Sequence, residues 1–327
     1  MTDKKGATIS TFAVIDLETN GLPHLQFNKC SITELSIIAF SSNYVDKKAE
    51  QRTTQNENLS NLLRRKSIPE LPRVLNKINL MVNPLDRIRD EVEKQTGLSN
   101  DALENERPFD KSTADLLISF LQRLEQPVCL VAHNGLGFDF RVLRYVFGKL
   151  DLTFPSSILC VDSWRAFQAI DNEIELNNNN NHKTKADCVD VSKDLKPEKD
   201  GEISPESISS ESFFLEINDS VDWQKFNETT PHRPCKKNHK KLLVDGSDKE
   251  TPLAKRSLFP RPNQASGFYK LGNIYKRIFQ ENFEDLHRAE NDVIVLSKLI
   301  LHYGSAFTEY ANANAISFKE VKRLGDP

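Results

Sequence analysis

Short apolar runs bounded by polar turns organise the first half of the chain. Residues 10–18 read as a buried strand around Phe12-Ala13-Val14-Ile15, Ile32 to Phe40 as a second, and Ile78 to Val82 as a third, stopped by Asn83-Pro84. Leu116-Leu117, Phe120-Leu121 and Leu124 recur at helical spacing ahead of a strand from Val128 to Ala132. Phe140, Leu143, Val146-Phe147 and Leu150 mark the next helix, and Ile158 to Val161 a short strand. Asp162-Ser163 suits a helix start before Trp164-Arg165-Ala166-Phe167. Further on, Leu271, Ile274-Tyr275 and Ile278-Phe279 outline a helix, and a last long one runs from about Leu286 through Val293, Val295-Leu296 and Leu299-Ile300. Strands first, then strands alternating with helices, predict an α/β fold: a mixed central sheet flanked by helices.

Two polar stretches interrupt this pattern. Residues 43–73 hold Arg64-Arg65-Lys66 and are expected to form a long hairpin excursion. From 172 to 266 the chain is rich in Asn, Ser, Lys and Glu, with the run Asn177 to Asn181 and little periodic apolar content, the composition of a disordered or loosely ordered insertion. The expected domain is therefore discontinuous, residues 1–171 and 267–327, with 172–266 inserted. Within the insertion, Lys236-Lys237, Lys240-Lys241 and Lys255-Arg256 have the form of a bipartite nuclear import signal or a mobile patch for DNA, although such clusters are most often solvated charge.

The bulk numbers narrow the function classes. With 44 basic against 47 acidic residues and a net charge of -3, the chain is not one that coats nucleic acid by bulk charge. Its five cysteines (Cys30, Cys129, Cys160, Cys188 and Cys235) include no C-x-x-C pair, which predicts a reduced, intracellular protein without structural zinc. No stretch approaches the roughly 20 apolar residues that span a bilayer, so no membrane partner is expected, and the nucleus, the cytoplasm or both are the expected compartments.

The chemistry lies in acids placed beside apolar runs. Asp16 and Glu18 are two apart on the first strand, so both leave the same face of the sheet while Ile15 and Leu17 face the other way. Two carboxylates so close repel unless a cation lies between them, and hard oxygen ligands of this kind suit Mg²⁺ or Mn²⁺. Asp139 follows the strand-turn signal Val131-Ala132-His133-Asn134-Gly135 and opens a helix; His133, among apolar and turn residues, reads as a packed structural histidine. His287 and Asp292 are five apart, off a common helical face. They can serve one site only if His287 lies at the loose start of the helix, a position that suits a general base. Acids able to hold two divalent cations, with a histidine beside them, point to metal-dependent phosphodiester cleavage.

The three segments in this order resemble the three exonuclease motifs of the DEDDh exonucleases, and most of all the three-prime repair exonuclease family. Supporting stretches are Asp16 to Pro23, Thr96 to Ser99, Cys129 to Gly135, Cys160 to Ser163 and Tyr269 to Tyr275. The resemblance covers about residues 8–170 and 267–325. It implies a ribonuclease-H-like fold and a 3′→5′ DNA exonuclease that releases 5′-mononucleotides. Asp16, Glu18, Asp139 and Asp292 would hold two Mg²⁺ ions, with Mn²⁺ as a substitute, and His287 would activate the attacking water. Leu22 would wedge against terminal bases, with Thr19, Asn20 and Gly21 beside it in the substrate site. DNA 3′ ends, single-stranded or frayed, would be the partner, and a homodimer built through a sheet edge is a further implication. The proline-rich loop or hydrophobic C-terminal anchor of some mammalian members is not seen in the sequence. The motif acids do not distinguish DNA from RNA, so an RNA exonuclease of the same superfamily stays open, as does a non-catalytic module that binds strand ends.

Overall fold

Six strands form one sheet in the order β3-β2-β1-β4-β5-β6. A computed structural model describes residues 8–46, 67–186 and 267–326. In chain order the elements are β1 (Thr11–Thr19), a 3-10 turn (Pro23–Gln26), β2 (Ile32–Ser41), β3 (Asn76–Met81), α1 (Asp90–Thr96), α2 (Asn100–Leu103) and α3 (Lys111–Arg123). There follow β4 (Val128–Ala132), α4 (Asp139–Lys149), β5 (Ile158–Asp162), α5 (Ser163–Ala186), α6 (Leu271–Phe279), α7 (Ala289–Tyr303), α8 (Ser305–Asn314) and β6 (Ile316–Ser317). β1, β2 and β3 run antiparallel to one another, β1, β4 and β5 run parallel, and β6 returns antiparallel to β5. This is the expected mixed sheet flanked by helices, a ribonuclease-H-like fold.

Alternation along β1 separates the faces. Ala13, Ile15 and Leu17 join Leu35, Ile37 and Ala39 of β2 and Leu130 of β4 in a core shared with Leu117 and Leu121 of α3 and Phe140, Leu143 and Phe147 of α4. The opposite face carries Phe12, Val14, Asp16 and Glu18, and α7 packs across β1 and β2. There Phe12 meets Phe307 of α8 edge-on at 5.5 Å, and Phe167 of α5 stacks on Tyr303 of α7 at 4.5 Å. The acids of β1 thus continue an otherwise apolar row that α7 covers. Phe12 is fully buried, so Phe12→Ala is expected to cost about 3–5 kcal/mol through lost transfer energy and an incompletely collapsed cavity. A guanidinium titration would show this as a lower midpoint with an unchanged slope.

Several boundaries differ from the sequence reading. α5 continues through the Asn177 to Asn181 run to Ala186, into the first part of the stretch 172–266 expected as a disordered or loosely ordered insertion. α7 starts at Ala289 rather than Leu286, because His287 has a left-handed backbone (φ 71°) that no helix continues through. α1, α2 and α8 were not expected, since each has few apolar positions: α1 buries only Val92 and Thr96, and α8 only Phe307, Thr308 and Ala311. Most of the 172–266 insertion with its lysine clusters, Arg64-Arg65-Lys66, Cys188 and Cys235 lie outside the described residues. Cys30, Cys129 and Cys160 are buried free thiols. No helix among the described residues is long and apolar enough to cross a membrane.

Candidate active site

The carboxyl end of β1 is the centre of the site. Asp16 pairs across the strands with Ser36 and Glu18 with Glu34, and the register then shifts between Glu18 and Thr19. That irregularity ends the regular pairing just beyond the second acid, where the chain turns away from the sheet.

Asp139 reaches β1 from the first turn of α4, after the loop that follows β4. Its Oδ1 accepts the Leu17 backbone N–H at 3.2 Å, which ties the acid to the peptide between Asp16 and Glu18. The loop is held by Asp162, a buried acid at the end of β5 whose carboxylate accepts the N–H groups of Asn134 (3.1 Å), Leu136 (3.2 Å) and Trp164 (3.0 Å). Gly135 cannot carry a side chain, because a Cβ there would lie 2.6 Å from the Phe140 ring and 2.7 Å from the Ala132 Cβ. His133 bridges the Ser163 hydroxyl (3.0 Å) and the Tyr269 carbonyl (2.8 Å). The carbonyl can only accept, so Nε2 carries the proton and Nδ1 faces Ser163. Burial lowers this imidazole to about 4, which keeps it neutral. His133, just after β4, therefore fastens the start of α5 and the segment before α6 to one another.

Asp292 comes from the start of α7 and His287 from the turn just before it. The His287 N–H donates to Asp292 Oδ2 at 2.9 Å, a bond across five residues that holds the turn preceding the helix. Glu18, His287 and Asp292 each present a ligand atom, and these atoms all lie within 4.8 Å of one another. Asp16 and Asp139 complete the cluster electrostatically. Burial pushes Asp16 well up, followed by the charges of Asp292, Asp139 and Glu18. Glu18 is raised for the same reasons, burial first and then Asp292. Burial is also the main cause for Asp139, pushed up to about 8, and for Asp292, pushed up to about 7. A cluster of acids that disfavour one another's ionisation fits a cationic occupant, whose charge would reverse the penalty. Burial, with help from Lys270, lowers the pKa of His287.

Two features add to the sequence reading. The side chains of Thr19 and Asn20, expected beside a substrate, make hydrogen bonds within the loop. Thr19 Oγ1 donates to the Gly21 carbonyl (2.9 Å), and Asn20 Oδ1 accepts from the Ser31 N–H (2.8 Å). Both residues are buried, and of the four residues from Thr19 to Leu22 only Leu22 is half-exposed. Glu34 and Asp162 are buried acids beside the site that the sequence reading missed. Asp162 was legible only as a helix start, and Glu34 signals its place only by being an acid within a strand of buried residues.

No protein-family model matches the chain. Over 166 residues it is 36% identical to Three-prime repair exonuclease 1 of Bos taurus, covering 50% of this chain and 49% of that protein. Over 163 residues it is 32% identical to Three prime repair exonuclease 2 of Homo sapiens, covering 49% of this chain and 62% of that one. The chain thus spans less than two thirds of the length of either relative. The crystal structure of cell-death related nuclease 4 aligns with a TM-score of 0.43 at 12% identity, over 94% of this chain and 66% of that one, a likeness too slight to decide anything. The three acidic segments lie within a chain that is thus similar, over about half its length, to the three-prime repair exonucleases.

Proposed function

We propose that the chain is a metal-dependent 3′→5′ exonuclease that removes 5′-mononucleotides from DNA ends. The observation that carries this reading is the gathering of Asp16, Glu18, Asp139, Asp292 and His287, from three distant segments, at the end of β1. The names of the relatives add the polarity. Asp16, Glu18, Asp139 and Asp292 are the ligands proposed for two Mg²⁺ ions, with Mn²⁺ as a substitute, since an all-oxygen set suits hard cations. Bound there, such ions supply a nucleophile at neutral pH and neutralise charge on the scissile phosphate.

The chain's own part is positioning and proton transfer. Asp139, locked to the Leu17 peptide, fixes its carboxylate against the pair on β1. His287 takes the proton from the attacking water through a ring nitrogen that its lowered pKa keeps unprotonated at neutral pH. Leu22, half-exposed beyond the end of β1, offers an apolar edge to the terminal bases, a contact indifferent to sequence. β3, one of the two edge strands among the described residues, is where a sheet-edge homodimer would form.

A gel time course with 5′-labelled single-stranded DNA and the matched RNA tests the reading. A ladder shortening from the 3′ end of DNA is expected in Mg²⁺ and none in EDTA. A ladder on RNA alone would reassign the substrate to RNA. Retained binding without cleavage of either strand would make the protein a strand-end binding module.

A further inference from the structure

Glu34 is a buried acid, 3% exposed, with no place among the proposed metal ligands. It stands opposite Glu18 on the neighbouring strand. A buried carboxyl group needs a hydrogen-bonding partner to offset its burial. Glu34 Oε2 accepts the backbone N–H of Ala289 at 3.1 Å, the first N–H of α7. No side chain from the helix's own start caps α7, so an acid from β2 does so, with the helix dipole favouring its negative charge.

The segment it holds is the one that presents His287. That residue has φ 71°, a conformation costly for any residue but glycine, which persists only where its surroundings over-determine it. The surroundings here are contacts on both sides of the turn. Asp292 accepts the His287 N–H, Glu34 accepts the Ala289 N–H, and Glu290 is tied to Lys77 and, at 3.2 Å, to Asn79 of β3. Among these contacts, Glu34's is the one that joins the strand beside Glu18 directly to the backbone two residues after His287.

We propose that Glu34 is a positioning residue for the reaction: by capping α7 from β2 it holds the His287 turn in its left-handed conformation and sets the imidazole against Glu18 and Asp292. This rests on the reading of His287 as the general base. Glu34 touches neither substrate nor reacting atoms, so it acts on turnover through His287 alone.

The test compares turnover of a single-stranded oligonucleotide by the wild type, Glu34→Ala, Glu34→Gln, His287→Ala and the double variant, with backbone hydrogen exchange followed at Ala289. Glu34→Ala is expected to lower kcat about 10- to 100-fold with KM little changed, the usual loss when a support around a metal site is removed. Glu34→Gln keeps a carbonyl acceptor and should recover most of that turnover. On the His287→Ala background, Glu34→Ala should cost nothing further, and exchange at Ala289 should be faster in Glu34→Ala and in the double variant than in the wild type, Glu34→Gln or His287→Ala. Wild-type kcat in Glu34→Ala, no recovery in Glu34→Gln, or losses that add to those of His287→Ala would each overturn the proposal. Unimpaired turnover in His287→Ala would overturn the base assignment instead, and the exchange measurement, which needs no catalysis, would still decide whether Glu34 holds the turn. Should Glu34→Ala not fold, Glu34→Gln decides alone, slow exchange at Ala289 with near wild-type kcat being the supporting result.

Discussion

Asp16→Asn is expected to lower cleavage by about 10³-fold or more, because losing several kcal/mol of transition-state stabilisation translates at about 1.4 kcal/mol per tenfold. The same substitution should make the metal-free protein more stable. In the folded, metal-free state burial and like charges raise Asp16 and Glu18 well above the ordinary carboxylate range, with Asp139 at about 8 and Asp292 at about 7. A carboxyl whose folded pKa exceeds its unfolded value, near 4, binds more protons in the native state over that interval. Its stabilising contribution is complete below about pH 4 and is lost as pH rises through the folded values. Melting of the EDTA-treated wild type should therefore move to lower temperature between about pH 5 and pH 8. Mg²⁺ should restore it most at the alkaline end, where the acids are free to bind the ion. Asparagine keeps the volume and removes a charge, and each kcal/mol of repulsion relieved raises Tm by roughly 2–4 °C in a domain of this size. A metal-free Asp16→Asn protein that melts below the wild type at pH 8 would show that Asp16 is held by contacts other than the cluster. Calorimetry with Mn²⁺ separates the two effects, since the variant should bind fewer ions or bind them more weakly.

His287→Ala is expected to reduce turnover by about 10²- to 10⁴-fold, the usual contribution of a positioned general base, with Mn²⁺ binding nearly unchanged. The pH profile is the sharper readout. Burial, then the nearby Lys270, lowers the pKa of His287 below its ordinary 6.5. The wild-type rate should accordingly rise with pH through a point on the acid side of 6.5 and level off toward neutrality. In the alanine variant that acid-side inflection should vanish along with most of the rate. An alanine variant that kept wild-type turnover near pH 7, with the inflection intact, would remove His287 from the role of base. Loss of rate together with loss of Mn²⁺ binding would instead make His287 a ligand, a role its closeness to Glu18 and Asp292 permits.

Much of this arrangement is legible from local pattern alone. β1, β2, β4 and β5 follow from apolar runs of strand length, because buried strands bury both faces and leave few polar positions. That Asp16 and Glu18 share a face follows from the two-residue period of a strand, and their opposition to the core of Ile15 and Leu17 follows with it. That His287 lies off the regular face of α7 is readable in outline, since His287 and Asp292 are out of phase on any helix that includes both, but the start at Ala289 is not.

What the sequence alone could not decide depends on register and on contacts between distant segments. Glu34 becomes significant only because the antiparallel register sets it opposite Glu18 and because α7 delivers the Ala289 N–H to it. Asp162 reads as a helix start until the loop after β4 folds back and brings two more N–H groups to its carboxylate. Thr19 and Asn20 follow the motif acids directly, yet the turn after β1 directs their side chains inward, where hydrogen-bonding groups compete for them. α1 and α8 carry too few apolar residues to announce themselves, and their packing against other elements stabilises helices that local propensity leaves marginal. By itself the sequence determined the strands and the candidate acids, because both are written in side chains next to one another along the chain. The tertiary structure decided which buried acids face the site and which hold its walls, because burial and hydrogen bonding depend on what the fold brings opposite.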